Sequence, residues 1–140
     1  LGEYDFDIIQ LPINILDQRL IETGVLKKIK KYDIEVHARS VFLQGLLLMS
    51  IDNIPPYFFP IKKKLENFIK KTKELSMSRL ELALAFVQSI DEIDKVIVGV
   101  NTLEQLSEVI NASRTQIRFS EFSDLAVDNQ DFIDPTRWRV

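Results

Sequence analysis

The apolar residues of this 140-residue chain alternate between strand-like and helix-like spacing. Phe6 to Leu11 (FDIIQL) is short, rich in isoleucine and followed by Pro12, the pattern of a buried strand stopped by proline. Leu16, Leu20, Ile21, Val25, Leu26 and Ile29 then recur at helical spacing opposite Lys27, Lys28, Lys30 and Lys31, which predicts an amphipathic helix on that strand. Tyr32 and Asp33 make a turn, and Ile34 to Leu43 (IEVHARSVFL) reads as a second strand. From Gln44 to Pro60 the prolines Pro55, Pro56 and Pro60 argue against regular structure, so a long functional or mobile loop is expected.

Helical periodicity restarts at Leu65, Phe68 and Ile69, and Ser78 with Glu81 forms a capping box at the head of a helix over Arg79 to Gln88. Lys95 to Val100 (KVIVGV) predicts a third strand, and Thr102 with Gln105 a second capping box opening a helix to about Ala112. Ser113 to Val140 is polar with scattered aromatics and is expected to wrap the outside of the domain. The alternation predicts an α/β protein with three parallel strands joined by right-handed crossovers.

Composition narrows the chemistry. A hydrophobic share of 46% suits one cored domain, whereas a closed eight-stranded α/β barrel takes about 250 residues, so this length allows half of one. Net charge of −3 and a pI near 5.2 lack the basic field expected of a nucleic-acid binder. Zero cysteines exclude disulfides and thiolate metal sites, and the single histidine excludes a two-histidine metal site. No apolar run approaches the ~20 residues needed to span a bilayer, and no signal-peptide pattern opens the chain, so the expected location is the cytoplasm.

Three stretches in order carry a family resemblance. They are Ile8-Ile9-Gln10-Leu11-Pro12-Ile13-Asn14, then Ala38-Arg39-Ser40-Val41-Phe42-Leu43-Gln44-Gly45-Leu46-Leu47, then Val96-Ile97-Val98-Gly99-Val100-Asn101-Thr102 followed by Glu104-Gln105-Leu106 and Glu108. Together they resemble the C-terminal half of the aldo-keto reductases, NAD(P)H-dependent carbonyl reductases built on a (β/α)8 TIM barrel. The resemblance implies a partial barrel: residues 1–140 as the last three β/α units with a C-terminal tail over 113–140. The chain also opens at Leu1 without a methionine, which fits the expectation of a fragment whose N-terminal half is missing.

Ligands of such barrels sit at the C-terminal ends of the strands and in the loops that follow. The resemblance places Gln10 on the nicotinamide carboxamide, with a buried polar residue satisfied by a neighbouring strand as the structural alternative. Arg39 falls where many members stack a tyrosine on the nicotinamide ring; a guanidinium plane also stacks but adds positive charge. Ser40, Val41, Phe42, Gln44 and Gly45 match the loop that holds the pyrophosphate, the alternative being a plain strand exit. Gly99, Asn101, Thr102, Gln105 and Glu108 match the adenosine end at a helix N-terminus. Gly99 stands for a common lysine, Val100 for a serine and Gln105 for an arginine, so the clamp on a 2′-phosphate is not evident and the implied cofactor is NADP or NAD.

The family's proton donor is a tyrosine tuned by a lysine and an aspartate, with a histidine orienting the substrate. No segment here matches those motifs. His37 lies mid-strand and reads as structural, and Tyr4, Tyr32 and Tyr57 have no lysine and carboxylate at motif-like spacing. The expected function is therefore the cofactor-binding portion of an aldo-keto reductase-like oxidoreductase, inactive alone and completed by the missing half or by self-association. A second reading is a non-catalytic binding or regulatory module derived from the same barrel.

Overall fold

The computed structural model describes residues 5–118 and 122–139, so Leu1 and Tyr4 lie outside the described residues. Three strands, β1 (Ile8–Pro12), β2 (Glu35–Arg39) and β3 (Lys95–Val96), form one parallel sheet in that order. Helices α1 (Arg19–Glu22) and α2 (Val25–Lys30) join β1 to β2, α3 (Lys62–Glu74) and α4 (Arg79–Gln88) join β2 to β3, and α5 (Leu103–Ala112) follows β3. A last short helix, α6 (Gln130–Ile133), lies in the tail.

Strand register decides which residues form the core. Ile9 pairs with Val36, Leu11 with Ala38 and Ala38 with Val96. Because side chains alternate across a strand, these five share one face, where they join Leu26, Ile29, Leu65, Phe68, Leu82 and Phe86 of the helices in a single apolar cluster. The opposite face carries Ile8, Gln10, Glu35, His37, Arg39 and Lys95. There the Glu35 carboxylate pairs with Lys95 Nζ and, at 2.8 Å, with His37 Nε2. Lys95 foremost, and then His37, hold the Glu35 carboxyl below the usual range. His37 is therefore fixed by its strand neighbours, while Ile8 on the same face is 50% exposed.

Several elements differ from the sequence expectation, each for a local reason. The helix expected across Leu16 to Ile29 is broken at Gly24, whose φ of 68° is left-handed and starts α2 afresh. Leu16 precedes α1 and is fully buried in the turn after β1. The second strand stops at Arg39 instead of Leu43, since Ser40, Leu43, Gln44 and Gly45 all take positive φ. With β2 ended, the third strand finds ladder partners only for Lys95 and Val96, extended by one bond from Ile97 N–H to the Ala38 carbonyl at 2.8 Å.

The proline-rich stretch is packed. Its 3-10 turns at Leu46–Leu48, Ile51–Asn53 and Pro56–Ile61 bury Leu46, Leu47, Ile54 and Phe58. The tail also enters the core. Phe122, Leu125 and Ile133 are buried, Gln18 Nε2 donates to the carbonyls of Ile15 and Phe122 at 2.8 Å each, and Val127 N–H donates to the Leu16 carbonyl. Its apolar residues follow no period, which is why the sequence reads as surface.

Of the two expected capping boxes, the one at Ser78 is complete: its hydroxyl accepts from Glu81 N–H and the Glu81 carboxylate from Ser78 N–H. Those bonds from Ser78 hold the Glu81 carboxyl below its usual range. At α5 only half forms. Thr102 Oγ1 accepts from Gln105 N–H at 3.2 Å, but Gln105 Oε1 reaches one residue further back, to Asn101 N–H at 2.8 Å.

Candidate functional site

At the C-terminal end of the sheet, where β2 turns away and the chain continues past β3, lies a cavity of about 620 Å³. One wall is the segment from Arg39 to Gly45, and the other is Ile97 to Asn101 with Gln105, Glu108 and Val109 of α5. Leu48 and Leu80 add apolar surface between them. Arg39, Ser40, Val41, Phe42, Gln44, Gly45, Gly99, Asn101, Gln105 and Glu108 are thus brought together, although the two walls are more than fifty residues apart in the chain. Gln10 is not among the lining residues; it sits exposed on the open sheet face, paired across from His37.

Each wall is shaped by backbone rather than by long side chains. In the first, Leu43 N–H donates to the Ser40 carbonyl, Gly45 N–H to Phe42 and Leu46 N–H to Leu43, closing successive turns. The N–H groups of Val41, Phe42 and Gln44 are not the donors of these turns, and successive backbone N–H groups in turns of this kind can form an anion-binding concavity. Gly45, at φ 85°, has the conformation that other residues rarely adopt. Val41 is buried in the core, so what it offers the cavity is chiefly backbone.

Asn14 holds this wall in place from the loop after β1. It is fully buried; its Oδ1 accepts from Leu16 and Asp17 N–H at 3.0 Å each and its Nδ2 donates to the Ser40 carbonyl at 3.2 Å. Arg39 Nη1 donates to Ser40 Oγ at 3.2 Å, setting a guanidinium and a hydroxyl side by side. In the second wall, the Thr102 cap and the Gln105 bond to Asn101 fix the loop at the head of α5. The first N–H groups of that helix have no partner within it, as at any helix start. Gly99 leaves open space: a Cβ built there meets nothing within 4 Å.

Among the described residues, the charged ones that line the cavity are Arg39 and Glu108. Its chemistry is therefore one cation, one carboxylate, two sets of backbone donors and an apolar lining. Leu48 and Leu80 were not foreseen, because nothing in sequence separates a leucine facing a cavity from one facing the core. Tyr32 and Tyr57 do not line it; Tyr32 is 63% exposed and Tyr57 Oη donates to the Asp131 carbonyl.

A model of the aldo/keto reductase family matches residues 1–127. The chain belongs to this family. Solved structures agree in fold. The aldo-keto reductase AKR11C1 from Bacillus halodurans superposes in its holo form with a TM-score of 0.72 at 19% identity, over 97% of this chain and 47% of that one. Its apo form gives 0.71 at 20% identity, over 97% and 48%. A thermostable aldo-keto reductase, Tm1743, in complex with the inhibitor epalrestat, gives 0.61 at 17% identity over 88% and 40%. No curated relative matches the sequence.

This aldo/keto reductase family chain therefore spans about half the length of the solved structures it matches. Its α/β fold is theirs over that span. Among the described residues there is no cluster of three or more potential metal ligands, and no helix is long and apolar enough to cross a membrane.

Proposed function

We propose that this chain forms the cofactor-binding side of an NAD(P)H-dependent carbonyl reductase, with its three strands contributing one part of a (β/α)8 barrel. The observation that carries the reading is the cavity at the strand C-termini, whose volume of about 620 Å³ falls within the ~300–1,000 Å³ of small-molecule sites. Its donor set fits a dinucleotide. Backbone N–H groups around Val41 to Gln44 and at the head of α5 suit phosphate oxygens, and the Arg39 guanidinium adds a cation and a stacking plane. Asn101 and Glu108 accept from ribose hydroxyls or an adenine amine. A nicotinamide cofactor bound there supplies the hydride for carbonyl reduction.

On this reading the open sheet face is the inside of the barrel, which places Gln10 and Arg39 on one surface toward the nicotinamide. One-sided helix coverage supports it, since parallel sheets are otherwise buried on both faces. So does the exposed apolar stripe of α5, with Leu103 76%, Leu106 41% and Ile110 49% exposed, next to the free edge of β3. A companion β/α segment or a second copy covers these surfaces, and a companion supplies the tyrosine, lysine, aspartate and histidine that no segment here matches. Light scattering of the purified chain should therefore give a mass above that of the 16.3 kDa monomer, or a chain that binds its companion; a stable, non-associating monomer counts against it.

Calorimetric titration tests the cofactor side. NAD+ or NADP+ should bind, and Arg39→Ala should weaken that binding by about three- to tenfold, as expected for the loss of one charged contact. With NADH or NADPH and an aldehyde, the isolated chain should show no steady oxidation of the reduced cofactor. The reading fails if neither nucleotide binds at millimolar concentration, and its dependence on a companion fails if the chain turns over by itself in a manner lost with Arg39→Ala.

A further inference from the structure

We infer that the solvent face of α3 is a docking surface for an anionic phospholipid membrane, attracted by its lysines and anchored by Phe59. Over Lys62–Glu74 the helix carries six lysines against two glutamates, a net of +4 in a chain whose total is −3. The other residues therefore sum to −7, and the positive charge is concentrated on one element. Leu65, Phe68 and Thr72 turn one side of α3 into the core. Lys63 and Lys70, about two helical turns apart, stand on the opposite side with side chains 81% and 76% exposed. Glu66 pairs with Lys63 at 3.8 Å, and Glu74 is shared by Lys70 at 3.7 Å and Lys71 at 3.4 Å, so two carboxylates leave most of the charge uncompensated.

Helix electrostatics do not account for these cations. Lys62, Lys63 and Lys64 occupy the first turn, where the helix dipole disfavours positive charge, and no acidic residue there offsets them. A basic amphipathic helix suits the negative potential of an anionic leaflet instead. The aromatic neighbour favours a bilayer over a soluble polyanion. Phe59 belongs to the 3-10 turn that runs directly into α3, is 55% exposed and has its ring centre 5.8 Å from Lys62 Nζ, so an apolar ring and a cation meet at one end of the stripe. Attachment to a membrane surface strengthens with apolar area inserted as well as with charge attraction. The other lysine-rich helix, α2, has a different setting: Lys30 is held by Asp94 at 2.8 Å, and Tyr32 beyond it lines a cavity with Asp5, Asp7, Asp33 and Glu35. Because α3 packs on the helix-covered side of the sheet, a companion on the open sheet face leaves this surface free, and the surface is separate from the cavity at the strand ends.

Co-sedimentation of the chain with sucrose-loaded vesicles tests the surface. Vesicles of phosphatidylcholine with about 30% phosphatidylserine should carry the chain down, and vesicles of phosphatidylcholine alone should not. Lys63→Gln and Lys70→Gln should each weaken binding about fivefold, the effect of one basic residue near an anionic surface. A control with Lys27→Gln and Lys28→Gln on α2 removes as much charge and should stay within about twofold of wild type, because those residues lie outside the contact and are screened. Phe59→Ala should weaken vesicle binding severalfold while leaving any binding of a single-stranded oligonucleotide or of polyglutamate unchanged. Raising salt from about 50 to 500 mM should release the wild-type chain, a readout that needs no variant. Equal sedimentation with the uncharged vesicles, retention at high salt, or indifference to both the Lys63 and Lys70 substitutions overturns the proposal. Tighter binding of the oligonucleotide or polyglutamate than of vesicles, with no effect of Phe59→Ala on vesicle binding, overturns the membrane as the occupant.

Discussion

Replacing Asn14 with leucine lowers the unfolding free energy by about 3–5 kcal/mol, because it strands buried backbone groups while leaving side-chain volume nearly unchanged. Asn14 is fully buried and makes three hydrogen bonds, accepting from Leu16 and Asp17 N–H and donating to the Ser40 carbonyl. Each buried group left unpaired costs about 1–3 kcal/mol, and local relaxation keeps the total below the full sum. The loss is also functional. Ser40 sits at φ 58° where β2 ends, and its carbonyl is held both by Leu43 N–H and by Asn14. Without Asn14 the turn that forms one cavity wall loses its anchor to the β1 exit, so nucleotide affinity should fall together with stability.

A second variant separates the donor from the acceptor. Asn14→Asp keeps an oxygen for Leu16 and Asp17 but sets a carboxylate against the Ser40 carbonyl in a buried site, which raises its folded-state pKa above the ordinary value near 3.9. The folded state then disfavours the charged form. The penalty is full above the raised pKa and fades as the pH falls toward the unfolded value, so Asn14→Asp gains stability relative to wild type on acidification, whereas Asn14→Leu does not. Urea unfolding at two pH values measures both. A leucine variant within about 0.5 kcal/mol of wild type, the scatter of an ordinary surface change, sinks the claim.

Much of this architecture is legible because period and caps are local signals. The order of strands and helices follows from apolar spacing, and Ser78 with Glu81 marks the start of α4 to the residue. What was not legible depends on single backbone dihedrals. Ser40, Leu43 and Gln44 are not residue types that announce a left-handed conformation, so Ile34 to Leu43 reads as one strand although it turns at Ser40. Gly24 sits inside an unbroken helical spacing of apolar residues, and only its φ shows the break. The capping partner of Gln105 differs by one residue from the expected one, a choice set by the path of the loop and not by residue type.

The site divides in the same way. Family resemblance named residues on both cavity walls, but periodicity and composition alone do not bring Arg39 and Glu108 to one cavity, since such contacts arise only when parallel strands align their C-terminal ends. Asn14 ends the first of the three family-like stretches, and nothing in the sequence gives it a role. Its role lies in the fold, where its Nδ2 gives the Ser40 carbonyl a second donor beside Leu43 N–H.

Phe58→Ala is expected to cost about 3–5 kcal/mol, the range for emptying a buried phenylalanine site. Phe58 is 2% exposed inside a stretch whose three prolines suggested a mobile loop. Its ring stands edge-on to Tyr57 at 5.0 Å and to Trp138 at 4.8 Å between centroids, and Tyr57 meets Phe132 at 5.6 Å. Tyr57 Oη donates to the Asp131 carbonyl and Trp138 Nε1 to the Phe132 carbonyl, so both ring edges that carry a polar atom are satisfied by the tail. Removing Phe58 opens a cavity between loop and tail and releases the partners of two aromatic contacts, each worth about 0.5–1.5 kcal/mol beyond its area. The tail should then exchange its amide hydrogens and be cleaved by protease before the sheet does, because the hydrogen bonds of Gln18 and Val127 hold its other end independently. Cleavage confined to the residues after about 128, with the β1 to α4 segment protected, is the expected pattern in limited proteolysis. Uniform loss of protection across the chain would instead make Phe58 part of the one cooperative core, and a variant as stable and as resistant as wild type would mean that the prolines alone hold the loop.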